Sequence, residues 1–170
     1  PKFSLLDRLV LTPVELTALV KPLALAYLLF LVLNLISALV EDRAPGFGTL
    51  LSTALLNLTP FIAACLVGAV LVPALLPYLP GRALAWKGWL AGMLWASAYL
   101  WLIVTELNWL YIVAIYLTLP SISAFLGMNF TGSTTYTSLS GVVREMGYAL
   151  PLIIISSALG LIALSASYFI

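Results

Sequence analysis

Apolar residues fall in five long runs along the chain, and polar residues are confined to short breaks between them. The runs are about Pro22–Val40, Thr49–Leu76, Leu84–Val104, Leu107–Met128 and Leu150–Ile170. A helix that crosses a bilayer needs about 20 largely apolar residues, and each run supplies them. The pattern predicts an all-α membrane protein: a five-helix transmembrane bundle over residues 22–170. The second run is over-long for a ~30 Å hydrocarbon core. It holds Pro60 and Pro73, where it is expected to bend or end.

Residues 1–21 follow a different pattern. Asp7, Arg8, Glu15 and Lys21 interrupt the apolar positions. Thr12-Pro13-Val14-Glu15 is a helix start: Thr12 can cap, Pro13 suits the first helical position, and Glu15 can reach back. An N-terminal amphipathic helix lying at the interface is expected. The alternative is an extension of the first span kinked at Pro22. Charges ahead of the first apolar run do not fit a signal peptide. The chain opens on Pro1 rather than Met, so it is expected to be a piece of a longer protein or a processed one.

Composition fixes the solvent. Hydrophobic residues make up 64% of the 170 and charged residues 8%, with a mean hydropathy of +1.17. Soluble domains carry roughly 25% charged residues. This chain has too little polar surface to face water. A net charge of +1 with no basic cluster gives no footprint for nucleic acid. The placement of the basic residues is more informative. With five spans, Lys2, Arg8, Lys21, Arg82, Lys87 and Arg144 fall on one side and Arg43 on the other. The positive-inside rule puts the N-terminus, the 77–87 loop and the 128–149 loop in the cytoplasm, at the inner membrane.

Small residues recur at helical spacing. Gly88, Gly92 and Ala96 form one stripe on the third span; Ser156, Gly160, Ala163 and Ser167 form another on the fifth. Such stripes let helix backbones approach closely, within the bundle or across a homodimer seam. Asn34 and Asn57 lie inside spans, where an amide is expected to hydrogen-bond a neighbouring helix. No span has a charge near its centre, which argues against proton- or ion-coupled transport.

Candidate chemistry is sparse. There is no His and one Cys, Cys65, so neither a disulfide nor a Cys/His metal cluster arises within one chain. Cys65 lies deep in the second span as a small hydrophobe; a metal role would need a thiolate from another chain. Gly127–Thr134, GMNFTGST, superficially fits a phosphate-binding loop. Ser133 stands where the lysine belongs, and no strand precedes it, so that reading is rejected. Ser, Thr and Tyr with no His and no suitably placed Asp or Lys give no activated nucleophile. No catalytic residue is assigned.

What remains is the hydroxyl-rich 128–149 loop, MNFTGSTTYTSLSGVVREMGYA. Glycines there permit tight turns, and Ser/Thr hydroxyls satisfy local backbone groups. Arg144-Glu145 fits a surface pair on a short helix before Pro151. The loop is longer and less charged than a connector requires. Asn129, Thr131, Gly132, Ser133, Thr134, Tyr136, Thr137, Ser138, Gly141, Arg144 and Glu145 are its candidate docking residues.

The stretch Ala124–Leu152, AFLGMNFTGSTTYTSLSGVVREMGYALPL, closely resembles the C-terminal membrane region of the HgcA family, the corrinoid proteins of mercury methylation. Asp7–Pro22, DRLVLTPVELTALVKP, and Leu71–Gly88, LVPALLPYLPGRALAWKG, support the likeness in the same order. The resemblance implies a parent methyltransferase that converts Hg(II) to methylmercury. It implies an upstream cytoplasmic domain binding a cobalamin-type corrinoid, with a cap-helix Asn-(Val/Ile)-Trp-Cys-Ala-(Ala/Gly)-Gly-Lys motif whose Cys is the lower cobalt ligand. It also implies a ferredoxin-like iron–sulfur partner, HgcB, that restores reduced cobalt. The cap-helix motif is absent here, and Cys65 in AACLVG does not match it. This chain is therefore expected to be the membrane anchor and docking domain, holding no cofactor itself. Its expected partners are the bilayer, its own corrinoid domain and HgcB. The alternatives are a transport module for Hg(II) or product, against which a single Cys argues, and a stand-alone membrane protein sharing this domain.

Overall fold

The structure, a computed structural model, describes residues 16–42, 46–81, 83–105, 108–129 and 139–169, all with side chains except 139, 140 and 142. The described residues are helical apart from turns. Helix α1 spans Val20–Val40, α2 Phe47–Leu66, α3 Leu84–Leu102, α4 Trp109–Asn129 and α5 Leu139–Ser167. Four stretches are long and apolar enough to cross a membrane: Leu16–Val40, Phe47–Ala74, Trp109–Asn129 and Val143–Ser167. Helix α3 has 19 residues but carries Trp86, Lys87, Trp89, Trp95 and Trp101, which lower its mean hydropathy.

The helices alternate in direction, and α4 is central. It packs along α3 and α5 and also meets α2. Ile115, Leu119 and Ala114 of α4 are fully buried and join Phe30, Leu58, Phe61, Ala96, Tyr99 and Leu164 in the main core. The rings of Phe30 and Phe61 lie 5.3 Å apart, tilted by 57°. Helices α1 and α5 instead turn most of their apolar side chains outward, including Leu25, Leu28, Val32, Leu39, Leu152, Ile154 and Ile162. An apolar surface of that extent is untenable in water and suits a lipid surround. Aromatic side chains are exposed at both ends: Tyr78, Trp86 and Tyr148 at one, Phe47, Trp101 and Trp109 at the other.

Close approach of α4 to its neighbours rests on glycines. A Cβ on Gly92 would lie 2.6 Å from Pro120 Cα and 2.9 Å from Ser123 Cβ, and one on Gly88 would meet the Ser123 carbonyl oxygen and Ala124 Cα. From the α2 side, a Cβ on Gly68 would lie 2.9 Å from Ser123 Cα, and on α5 one at Gly160 would lie 2.5 Å from Thr118 Cγ2. Ala96 is fully buried beyond Gly92. On α5, Ser156 Oγ donates to Leu117 O (2.9 Å), Ala163 packs against the main core, and Ser167 Oγ bonds Leu164 O within its own helix.

Three expectations are corrected. Helix α2 does not end at Pro60 but continues through it, whereas the helical run ends at Ala74, next to Pro73, as expected. The Leu56 carbonyl, which residue 60 has no N–H to serve, accepts from Thr59 Oγ1 at 2.6 Å. The Pro60 carbonyl accepts from Trp95 Nε1 of α3 at 3.0 Å. The irregularity lies further on: Val67–Leu71 forms a π turn, with Val72 N donating to Val67 O, before one last turn at Val72–Ala74. Pro73 cannot donate to Ala69 O, which favours such a shift. Second, Asn57 bonds Tyr168 OH, just past the end of α5 (2.8 Å), but Asn34 bonds Phe30 O of its own helix (2.7 Å). Third, α5 begins at Leu139 rather than Leu150 and contains Pro151. Anchoring on both sides of the proline, at Glu145 and Ala149 upstream and Ile153 downstream, holds the helix through it.

Of the interfacial segment, residues 16–18 are helical and lead through a turn at Leu19 into α1, with Leu23 N bonded to Leu19 O (3.0 Å). Residues 1–15 lie outside the described residues.

Candidate functional site

The site forms at one end of the bundle, where α1 starts, α2 ends, α3 starts, α4 ends and α5 starts. The first turn of α3 organises it. Ala83 occupies the N-cap position with φ −74° and ψ 130°, and no side chain of its own caps the helix. Alanine is a poor cap, and Leu84 and Ala85 are buried, at 3% and 6% exposure, so water does not serve their N–H groups. The acceptor comes from 60 residues away. Glu145 of α5 is 5% exposed, and its Oε1 accepts from Ala85 N at 2.6 Å. The carboxylate also lies at the positive end of the α3 dipole. By contrast, α4 is capped locally, with Asn108 Oδ1 accepting from Leu110 N at 2.9 Å.

Two further contacts stiffen this end. Lys87 Nζ donates to Leu76 O at 2.6 Å, tying α3 to the turn that follows α2. Gly81 has φ +100°, and a Cβ there would lie 2.7 Å from Trp86 Cδ1, so the turn into α3 requires glycine on both counts. The rings of Trp86 and Trp89 stack, centroids 5.2 Å apart at 14°. Beneath them, between α3, α4 and α5, lies a cavity of about 380 Å³, lined by Trp86, Trp89, Ser121, Ala124, Glu145, Tyr148, Ile153 and Ser156 among others.

The candidate docking residues separate as follows. Asn129 is exposed at the last residue of α4, and Gly141 and Arg144 are exposed on the first turns of α5. Thr131, Gly132, Ser133, Thr134, Tyr136, Thr137 and Ser138 lie outside the described residues. The pairing of Arg144 with Glu145 on the surface is overturned: Arg144 points outward while Glu145 turns in to cap α3. Their directions differ by the ~100° that one residue subtends on a helix. Sequence reasoning missed Ala83, Ala85, Trp86, Trp89 and Tyr148 as site residues. One signal was present: GRALAW opens a helix without a Ser, Thr, Asp or Asn to cap it, so its acceptor had to come from another element.

Cys65 is buried in α2 with Ala69 and Leu126, beside an apolar crevice of about 260 Å³. That lies below the ~300–1,000 Å³ of ordinary ligand pockets, and a corrin ring is larger still. Among the described residues no group of three His, Cys, Asp or Glu side chains gathers to hold a metal. Comparison of the chain with models of protein families, with curated proteins and with solved structures gives no match.

Proposed function

We propose that the chain is the membrane anchor and docking domain of a corrinoid-dependent methyltransferase that acts on Hg(II). In this reading all five helices span the inner membrane, and the end bearing α3's first turn faces the cytoplasm. The corrinoid domain enters at residue 1, on the same side as the 130–138 segment, and HgcB docks there. The methyl transfer belongs to the corrinoid domain. The membrane half contributes effective concentration, holding the electron donor and methyl carrier where they meet.

One observation carries the reading. The stretches that resemble the HgcA family are far apart in sequence, yet their described parts converge on one end of the bundle: residues 16–22 at the start of α1, 71–88 from α2 to α3, and both flanks of 130–138. Lys21, Lys87 and Arg144 belong to this end as well. Helix α5 adds support. Its 29 residues extend about 43 Å against a ~30 Å hydrocarbon core. A length in that excess suits a helix whose first turns, with Gly141 and Arg144, stand out of the membrane beside the docking segment.

Two measurements test this. In a Cys65→Ala background, a cysteine at Gly141 is expected to react with a membrane-impermeant maleimide in inside-out vesicles only, and one at Phe47 in right-side-out vesicles only. Labelling of both from one side refutes five spans. In the full-length protein, Tyr136→Ala with Arg144→Ala is expected to lower HgcB retention and methylation at least about tenfold. Unchanged retention and methylation in correctly inserted protein would sink the platform.

A further inference from the structure

We infer that the cavity between α3, α4 and α5 is a binding site for one bilayer phospholipid with an ethanolamine headgroup, its ammonium on Glu145. The inference rests on the chain lying in a bilayer and is independent of the methyltransferase reading. The cavity holds about 380 Å³ and is walled by apolar side chains along most of its length. Trp86 (47% exposed) and Tyr148 (55%) border it at the protein surface, so it opens sideways to lipid. Along α5 it extends from Glu145 to Ser156. Those 11 residues rise about 16 Å, the depth of one leaflet of a ~30 Å hydrocarbon core. An acyl chain entering from the side meets an apolar slot of matching length, and its headgroup arrives at the end where the carboxylate lies.

Charge selects the headgroup. Glu145 is the one charged residue in the cavity wall among the described residues, and no lysine or arginine lines it. Among the described residues Ala85 N donates to the carboxylate; a carboxylate has about four acceptor directions. A buried carboxylate with a neutral donor is completed by a cation. A primary ammonium brings three N–H donors, and Trp86, Trp89 and Tyr148 line the same cavity, where aromatic rings attract a cation. A glycerol headgroup carries only the phosphate's negative charge to the same place and is repelled. A choline headgroup has the charge but no N–H to donate.

The test is native mass spectrometry of the chain released from micelles containing equimolar dioleoyl ethanolamine, choline and glycerol phospholipids. One ethanolamine lipid is expected to be retained, about tenfold over the glycerol lipid. Glu145→Gln is expected to bring that ratio close to one. Leu152→Trp places a larger side chain in the slot from an exposed position and leaves Glu145 intact; it is expected to abolish retention of any single lipid. Circular dichroism and gel filtration identify folded variants, and Leu152→Trp decides the matter if Glu145→Gln does not fold. Equal retention of the three lipids, a preference for choline or glycerol, or retention unchanged in Leu152→Trp overturns the assignment.

Discussion

Replacing Gly88 by leucine is expected to lower the melting temperature by roughly 6–12 °C, the effect of about 3 kcal/mol on a chain of this size. Two terms oppose each other. Leucine in a helix interior gains up to about 1 kcal/mol of propensity over glycine. Against this, even the first added carbon meets the Ser123 carbonyl and Ala124 Cα, which are backbone atoms and cannot swing aside. Helices α3 and α4 must then separate. That opens the neighbouring contact in which Gly127 faces Leu84 O and Gly88 Cα, where an added Cβ would lie 3.2 and 3.3 Å away. Overlap therefore wins. Gly147→Ala is the internal control: nothing lies within 4 Å of a Cβ there, so the propensity term acts alone and the variant is expected to match or exceed the parent by up to about 1 kcal/mol. Thermal unfolding in detergent, followed by tryptophan fluorescence, measures both. A Gly88→Leu protein that melts with the parent would mean that the α3–α4 contact is looser than described here.

The same residues show what a sequence can disclose. The apolar runs announce helices because their lengths are set by the bilayer and need no knowledge of neighbours. The helix boundaries were less legible, since they depend on contacts between elements. Leu139–Ala149 reads as loop because its hydroxyls and charges interrupt the apolar pattern, and Pro151 looks like a barrier. It folds as helix because Glu145 and Ala149 are buried against α3 and α4. Asn57 finds Tyr168 across the bundle, whereas Asn34 turns to its own backbone, a choice the local sequence does not encode. Thr59 beside Pro60 is a device legible afterwards: a hydroxyl set one residue before a proline serves the carbonyl that the proline leaves bare. At the site, the sequence reads Glu145 as half of a surface pair with Arg144. The residue that organises this end, Glu145, is instead a buried carboxylate whose partner is a backbone amide 60 positions away.

That carboxylate is the second test. Glu145→Ala is expected to cost about 1–3 kcal/mol, the penalty for leaving a buried N–H without its acceptor, with the upper part of the range favoured because the lost bond is charge-assisted. Glu145→Gln keeps an acceptor oxygen and loses the charge at the helix terminus, so its cost is expected to be smaller. A merely space-filling Glu145 would also destabilise when truncated, and stability alone does not distinguish the roles. Rescue does. Ala83 already has the extended N-cap backbone in which Asp or Ser accepts from the second or third N–H of a helix. Ala83→Asp added to Glu145→Ala is therefore expected to restore about 1 kcal/mol, although it refills none of the volume removed from α5. Hydrogen exchange supplies the local readout: the Ala85 amide is expected to exchange faster in Glu145→Ala and to recover in the double variant. Exchange in 139–146 should stay fast in both, because Glu145, which ties the first turns of α5 to α3, is missing from both. If Ala83→Asp restores nothing, Glu145 acts through packing and not as a cap. If it restores the amide but leaves 139–146 loose, the two duties separate: a local residue can cap α3, whereas the distant carboxylate caps α3 and also holds the start of α5.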